Sequence, residues 1–219
     1  HMIYSGKWHV PGTDPHRMGF HDSSAIPAVI NGKDRGRYIE EYRSYVESKG
    51  YHLRPKHIEN LTESDFEALQ NEEKGPYGTA EIPEEHFLET WQTGQFLGNM
   101  RDRDRSKPFF AVVSYSSPHF PMIVPKPYNS LIAPSDIELS ENFCAGLEGK
   151  PVEVRKLHES QATSCLDEHA WRNLIAHYYG LCSLVDTQVG KIIQYLEEED
   201  ALGDTIIVYS TDHGDMMGS

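Results

Sequence analysis

The sequence predicts an α/β fold with a mixed, mostly parallel sheet flanked by helices. Residues 109–115 form a continuous apolar run, which is typical of a strand buried on both faces of a parallel sheet. A helical pattern over 168–199 is followed by Gly203 and by a second β-favouring run at 205–210. A helix that leads directly into a strand is the repeating unit of a wound α/β sheet.

The N-terminal part combines short elements with irregular stretches. A short strand is expected near residues 3–9, inside a loop-dominated segment that continues to residue 35. A helix is predicted over 36–50, with Gly50 as its C-terminal cap. Its apolar residues recur at helical spacing: Tyr38, Ile39, Tyr42, Tyr45 and Val46. The polar residues 51–83 are broken by prolines and are expected to form a loop excursion with little core.

Two further helices are predicted, one on each side of a second irregular region. The first runs from Pro83 to about Arg105, and residues 121–163 after the 109–115 strand are mostly irregular. The second covers 168–199, with Ser164 and Asp167 as candidate start signals. Its apolar residues step by four and three positions and predict one buried stripe: Trp171, Ile175, Tyr178, Cys182, Val185, Val189, Ile192 and Leu196.

Charge and composition exclude several classes of protein. The 219 residues carry 20 Lys and Arg against 34 Asp and Glu, a formal net charge of −14. A surface this acidic repels phosphate backbones and anionic lipid headgroups, so no nucleic-acid partner is expected. No apolar run approaches the roughly 20 residues that cross a bilayer, so no membrane span is expected. Cys144, Cys165 and Cys182 lack Cys-x-x-Cys spacing, which argues against a disulfide scaffold and a zinc ribbon.

Polar residues follow three of the predicted strands, where functional groups collect in open α/β sheets. At the first strand end, the segment Gly6-Lys7-Trp8-His9 would place Lys7 and His9 on one face if it is extended. A cation beside an imidazole suits an anionic oxygen that gains charge during a reaction. The alternative, which spacing alone favours, is a surface lysine and a surface histidine that flank one buried tryptophan.

The other two strand ends also carry histidine. His119 lies between Pro118 and Pro121, which limit where its imidazole can point; an ordinary turn is an equal alternative. Asp212 and His213 follow the 205–210 run, and both side chains are metal ligands. Their alternative is a polar turn that starts a helix, and the pattern favours a metal site.

Together these segments resemble the sulfatase family of the alkaline-phosphatase-like superfamily. The resemblance rests on the order and spacing of four motifs: Gly6-Lys7-Trp8-His9, Ser117-Pro118-His119-x-Pro121, Tyr179 with Val185 to Lys191, and Thr211-Asp212-His213-Gly214-Asp215. It implies that Lys7 and His9 contact the nucleophile and the ester oxygens, and that His119 binds the sulfate or assists the leaving group. It also implies that Asp212 and His213 bind a divalent metal.

The resemblance implies two cofactors. The first is a divalent metal, with calcium ahead of manganese or zinc. Many family members have Asn where this chain has His213, and the softer imidazole makes manganese or zinc more plausible here. The second is formylglycine, which the family makes from Cys or Ser in a Cys/Ser-x-Pro-x-Arg motif. This chain has no such motif, so formylglycine is expected only in a longer parent protein.

We therefore expect a partial catalytic domain, truncated at both ends, over residues 1–219. His1 and Met2 have the form of a tag remnant, and 51–83 and 121–163 are variable loops. The family's paired aspartates and its lysine after the Asp-His turn are missing, and both would lie beyond these ends. An exposed sheet edge would then favour homo-oligomers.

The expected activity of the parent protein is metal-assisted hydrolysis of a small-molecule or carbohydrate sulfate ester. The residues 1–219 alone are expected to be inactive, because they lack the nucleophile. One alternative is a phosphonate monoester or phosphodiester hydrolase of the same superfamily. The other is a non-catalytic ligand-binding module.

Overall fold

The computed structural model describes residues 1–10, 13–27, 36–52, 76–143, 145–160 and 166–218. Most of the predicted excursion at 51–83 lies outside these residues, as do Cys144 and Cys165. The strands are β1 Met2–Trp8, β2 Asp22–Pro27, β3 Tyr77–Thr79, β4 Phe110–Ser114 and β5 Met122–Val124. The α-helices are α1 Gly36–Ser48, α2 Leu88–Asp102, α3 Val152–Ser160 and α4 Glu168–Glu198.

The larger sheet is parallel and has β1 at its centre. Its strand order is β2-β1-β4, with Ile3 opposite Asp22 on one side and opposite Ala111 on the other. Because all three strands run in the same direction, the segments that follow β1 and β4 leave the sheet at the same end of the strands. The sheet confirms the predicted α/β class with parallel strands and flanking helices, and it places two of the three candidate motifs side by side.

Alternating side chains fix the two faces of β1. Ile3 is fully buried and packs with Phe96 and Met100 of α2 and with the last turns of α4. On the other face, Tyr4 and Trp8 make edge-on ring contacts with each other and with Phe20. This period of two is what a strand covered on both faces requires.

The long helix α4 confirms the most regular prediction. Asp167 caps its start, because the carboxylate accepts a hydrogen bond of 2.8 Å from the backbone N–H of Ala170. The buried face matches the predicted stripe only in part: Ile175, Val185 and Leu196 are buried, whereas Trp171, Tyr178, Cys182, Val189 and Ile192 are half-buried. It comprises Leu174, Ile175, Ala176, Gly180, Leu181, Leu184, Val185, Gln188, Tyr195 and Leu196. Cys182, predicted to be core, is only half-buried.

A small second sheet anchors the first half of α4. Strands β3 and β5 pair in parallel, with Gly78 opposite Ile123. Met122 and Val124 pack with Leu181 and Leu184 of α4, and α1 closes the same core cluster. These two short strands, like β2, arose where loops were predicted, because three to six residues give too little periodicity to detect.

Strand β4 is an outer strand in the order of the described sheet. Its side chains are also more exposed than predicted, which corrects the prediction of a strand buried on both faces. Phe110 is 56% exposed and residues 111–114 are partly exposed. The hydrophobic run predicted the strand correctly but not its position. Only the pairing with other strands decides whether an apolar strand is central or at an edge.

The predicted strand at 205–210 does not form. After a short 3₁₀ turn at Leu202–Asp204, the chain continues without regular structure, and Ile206, Val208 and Tyr209 are 91%, 80% and 77% exposed. None of the described strands pairs with this segment. A strand needs a hydrogen-bonded neighbour, so β-favouring residues alone do not create one. None of the described helices is long and apolar enough to cross a membrane.

Candidate active site

The end of β1 positions Lys7 through two close contacts. Gly6 has φ +97°, and a Cβ atom at this position would lie 1.9 Å from the backbone carbonyl oxygen of Ser114. Only glycine allows that approach of β1 to β4. The Tyr4 hydroxyl donates to the backbone carbonyl of Lys7. Lys7 is half-buried at this point, and His9, just past the strand, is exposed.

The turn after β4 orients His119. Its backbone N–H donates to the Ser116 carbonyl over 3.0 Å, and the imidazole Nδ1 lies 2.7 Å from the Phe120 carbonyl oxygen. A carbonyl only accepts, so Nδ1 carries the hydrogen in this contact. Nε2 is then the atom that this exposed side chain offers to a ligand, as a donor when the imidazole is protonated and as an acceptor when it is neutral.

A buried carboxylate lies directly beneath this turn. Glu89, in the first turn of α2, is 2% exposed. Its Oε1 accepts hydrogen bonds from the Ser117 backbone N–H over 3.1 Å and from the Ser117 hydroxyl over 2.5 Å. Burial raises the pKa of Tyr115 to about 12, opposed by its hydrogen bond with Thr93, and the nearby Glu89 charge adds to the rise. Sequence reasoning missed Glu89 because nothing in the pattern separates it from the other acidic residues.

Asp212 and His213 lie in an exposed turn. The His213 backbone N–H donates to an Asp212 carboxylate oxygen over 3.0 Å, and its Nδ1 is 2.9 Å from the Gly214 carbonyl. Desolvation raises the pKa of Asp212, but the hydrogen bond and the charges of His213 and Lys7 outweigh it and hold the pKa below its ordinary value. The effect of Lys7 shows that the end of β1 and this turn lie within electrostatic range of each other.

Two different observations relate the three candidate segments to one another, a charge effect and the pairing of two strands. The charge of Lys7 helps to lower the pKa of Asp212. The turn with His119 follows β4 at the same end of the sheet as Lys7. His9, His119, Asp212 and His213 are all exposed. Gly6 was present in the sequence motif, but its steric role became visible only with β4 in place. A glycine inside a strand was the available signal.

The residues of a divalent metal site are only partly present. The Nε2 of His213 and a carboxylate oxygen of Asp212 are 3.7 Å apart, near the spacing of about 3 to 3.5 Å for two ligands that each lie about 2.1 Å from one ion. The donor chemistry therefore fits a divalent cation. The number of donors does not, because no group of three or more His, Cys, Asp or Glu occurs among the residues described.

Comparison with known proteins decides the family. The sulfatase family model matches residues 7–219, which include all of the candidate site residues. The chain belongs to the sulfatase family. This sulfatase chain is 29% identical to the multifunctional alkaline phosphatase superfamily protein PehA of Trinickia caryophylli, over 94% of the chain and 46% of PehA. It is 32% identical to an arylsulfatase of Clostridium perfringens, over 58% of the chain and 26% of that enzyme.

A solved structure supports the fold of this sulfatase chain. The phosphonate monoester hydrolase of Agrobacterium radiobacter superposes with a TM-score of 0.68 at 24% identity, over 99% of the chain and 45% of the hydrolase. The alkaline-phosphatase-like fold is therefore shared. The chain spans less than half the length of each of these three proteins.

Proposed function

We propose that the protein to which this sulfatase chain belongs hydrolyses sulfate esters, with the site at the carboxyl ends of β1 and β4. The observation that carries the proposal is the parallel pairing of β1 with β4, which puts Lys7 and the turn with His119 at the same end of the sheet. The lowering of the Asp212 pKa by the charge of Lys7 agrees with it. A cation, an imidazole and a carboxylate drawn from three distant parts of the chain suit an anionic ester. The named arylsulfatase among the relatives supports this choice of substrate class.

In this proposal, the residues of the chain bind the ester and stabilise the departing charge. Hydrolysis cleaves the ester and takes up water, which yields an alcohol and sulfate. Lys7 and His9 neutralise the non-bridging oxygens. His119 in its protonated form directs the Nε2 proton to the leaving oxygen, while its Nδ1 stays bonded to the Phe120 carbonyl. A locally positive site of this kind is needed in a chain whose net charge is −14.

The sulfatase family generally uses a divalent metal and formylglycine. In this proposal, Asp212 and His213 supply two of the metal ligands, and the metal is calcium, manganese or zinc. The bound metal would polarise the ester as a Lewis acid. Because the described residues do not complete the coordination shell, no step above depends on the metal.

A second candidate activity is the hydrolysis of phosphonate monoesters or phosphodiesters. It is favoured by His213 and by two structural neighbours, the phosphonate monoester hydrolases of Agrobacterium radiobacter and Silicibacter pomeroyi. The full-length protein should be assayed with matched aryl sulfate, phosphonate and phosphodiester substrates. A kcat/KM that is highest for the sulfate supports the first proposal, and one that is highest for a phosphorus ester supports the second. Binding without turnover would support a ligand-binding module.

Substitutions in the full-length protein test the site itself. We expect Lys7→Ala to lower kcat/KM by about 100-fold or more and His119→Ala by a similar factor. Lys107→Ala is the matched control, because Lys107 precedes β4 and therefore lies near the amino-terminal end of that strand, away from the proposed site. It should change kcat/KM less than twofold, by about the amount expected for a surface substitution. Equal effects of Lys7→Ala and Lys107→Ala would contradict the proposed site.

The 219-residue chain alone is proposed to be inactive. Purified residues 1–219 should show no ester hydrolysis above the level of a His119→Ala variant of the same chain. Hydrolysis that is present in the unmodified chain and abolished by His119→Ala would contradict this proposal, and it would show that the described residues are sufficient for catalysis.

A further inference from the structure

The turn that carries His119 is hydrogen-bonded to the core of the molecule through the side chain of Glu89. Ser117 donates two hydrogen bonds to the same oxygen of Glu89, one from its backbone and one from its hydroxyl. Glu89 belongs to α2, whose Phe96 and Met100 pack against β1. The anchor is therefore part of the rigid scaffold.

The burial of Glu89 requires a reason. A carboxylate in the first turn of a helix is favoured by the helix dipole, but that benefit is available to an exposed side chain as well. Burying a charged group is unfavourable unless hydrogen bonds replace the lost water. Two such hydrogen bonds come from Ser117, which follows β4. The buried carboxyl group of Glu89 therefore joins α2 to the segment after β4.

Ser117 passes this constraint to His119 through a short and stiff connection. One residue separates them, and it is Pro118, whose ring fixes its own φ and restricts Ser117 as well. The backbone bond from His119 to Ser116 closes the turn on the other side of Ser117. A shift of Ser117 would thus displace the imidazole.

We propose that Glu89 is a positioning residue, whose carboxylate fixes the Ser117–His119 turn and thereby sets the location of the His119 imidazole. The consequence for catalysis rests on the proposed function. The effect of Glu89 on the position of the turn is independent of the proposed function, because it concerns contacts within this chain.

Amide hydrogen exchange measured by NMR on the 219-residue chain tests the structural part. In Glu89→Ala, the Ser117 amide should exchange about 10-fold faster or more, because it loses its hydrogen-bond acceptor. Amides in the middle of β1 and α4 should keep their rates. Glu89→Gln retains an acceptor oxygen and should restore most of the protection.

Thr93→Val is the matched control. Thr93 is also buried on α2, and its hydroxyl bonds the Glu89 backbone carbonyl and the Tyr115 hydroxyl, not Ser117. It should leave Ser117 exchange unchanged. If Glu89→Ala does not fold, Ser117→Ala removes the hydroxyl bond by changing a half-buried residue and should still speed exchange of the residue 117 amide. Unchanged exchange in folded Glu89→Ala, or in Ser117→Ala, would overturn the proposal.

Kinetics of the full-length protein test the catalytic consequence. Glu89→Ala should lower kcat at least 10-fold with a smaller change in KM, Glu89→Gln should recover most of kcat, and Thr93→Val should match the unmodified protein. An exchange effect without any ester hydrolysis in the unmodified protein would refute the proposed function and leave the positioning role standing. Normal kcat in Glu89→Ala would overturn the positioning role.

Discussion

Two segments of this sulfatase chain share one pattern and reach different environments. Residues 109–115 and 205–210 are both apolar, both favour β structure, and both lead into a turn that contains histidine. The first contains β4, which is paired with β1 from Phe110 to Ser114. The second is exposed and is not paired with any of the described strands. Pairing, rather than composition, therefore separates a strand from an extended segment.

The two turns differ in the same way. The turn with His119 is tied to the core through Glu89, a buried residue of α2. The hydrogen bonds of the turn with Asp212 and His213 run between close neighbours, including Thr211 to the His213 carbonyl over 2.6 Å. Local bonds shape a turn but do not fix its place in the molecule. One half of the proposed site is thus hydrogen-bonded to the core, whereas the hydrogen bonds of the other half are local.

The largest effect should come from breaking the pairing of the first segment. We expect Gly6→Ala to destabilise the protein by about 4 kcal/mol or more, through backbone strain at positive φ and overlap with the Ser114 carbonyl. Urea unfolding measures the change. Gly98→Ala is the control, because a Cβ there, on α2, meets nothing within 4 Å. It should stabilise by about 0.5 to 1 kcal/mol. A Gly6→Ala protein as stable as the original would contradict the close β1–β4 contact.

The next effect compares matched isoleucines in the paired and unpaired regions. Ile3→Ala should cost about 2 to 5 kcal/mol, because Ile3 is fully buried in the core of the larger sheet. Ile206→Ala should change the free energy of unfolding by less than about 0.5 kcal/mol, because Ile206 is 91% exposed. Equal losses in the two variants would show that 205–210 is packed in solution.

These contrasts explain how far the sequence could predict the molecule. Long periodic elements were predictable, as the helix that begins after the Asp167 cap shows, because many residues contribute to one signal. The three motifs were site candidates because of their place at the ends of predicted strands, and their roles stay predictions; the strand predicted before Asp212 does not form. The edge position of β4, the missing strand at 205–210 and the contact of Glu89 with Ser117 depend on which segments meet in space. Residue patterns along a chain do not encode that information directly.

A smaller effect concerns association between copies of the chain. We propose that 205–210 pairs with a second copy at high concentration, because it is β-favouring, uncharged, free of proline and exposed. Sedimentation velocity should show a concentration-dependent dimer that Val208→Lys weakens. Val154→Lys, on α3 and 45% exposed, is the control and should leave the dimer unchanged. A monomer at every concentration would contradict the pairing.

The smallest expected effect is divalent metal binding by the locally held turn. Asp212 and His213 offer two donors, and no described third ligand joins them. We expect calorimetry of residues 1–219 with calcium, manganese or zinc to give a dissociation constant above about 10⁻⁴ M. Asp212→Asn together with His213→Gln should remove the remaining binding, and Asp136→Asn, which changes an exposed carboxylate on another segment, should not. Micromolar affinity would mean that further ligands already surround this turn, and the difference drawn between the two halves of the site would then disappear.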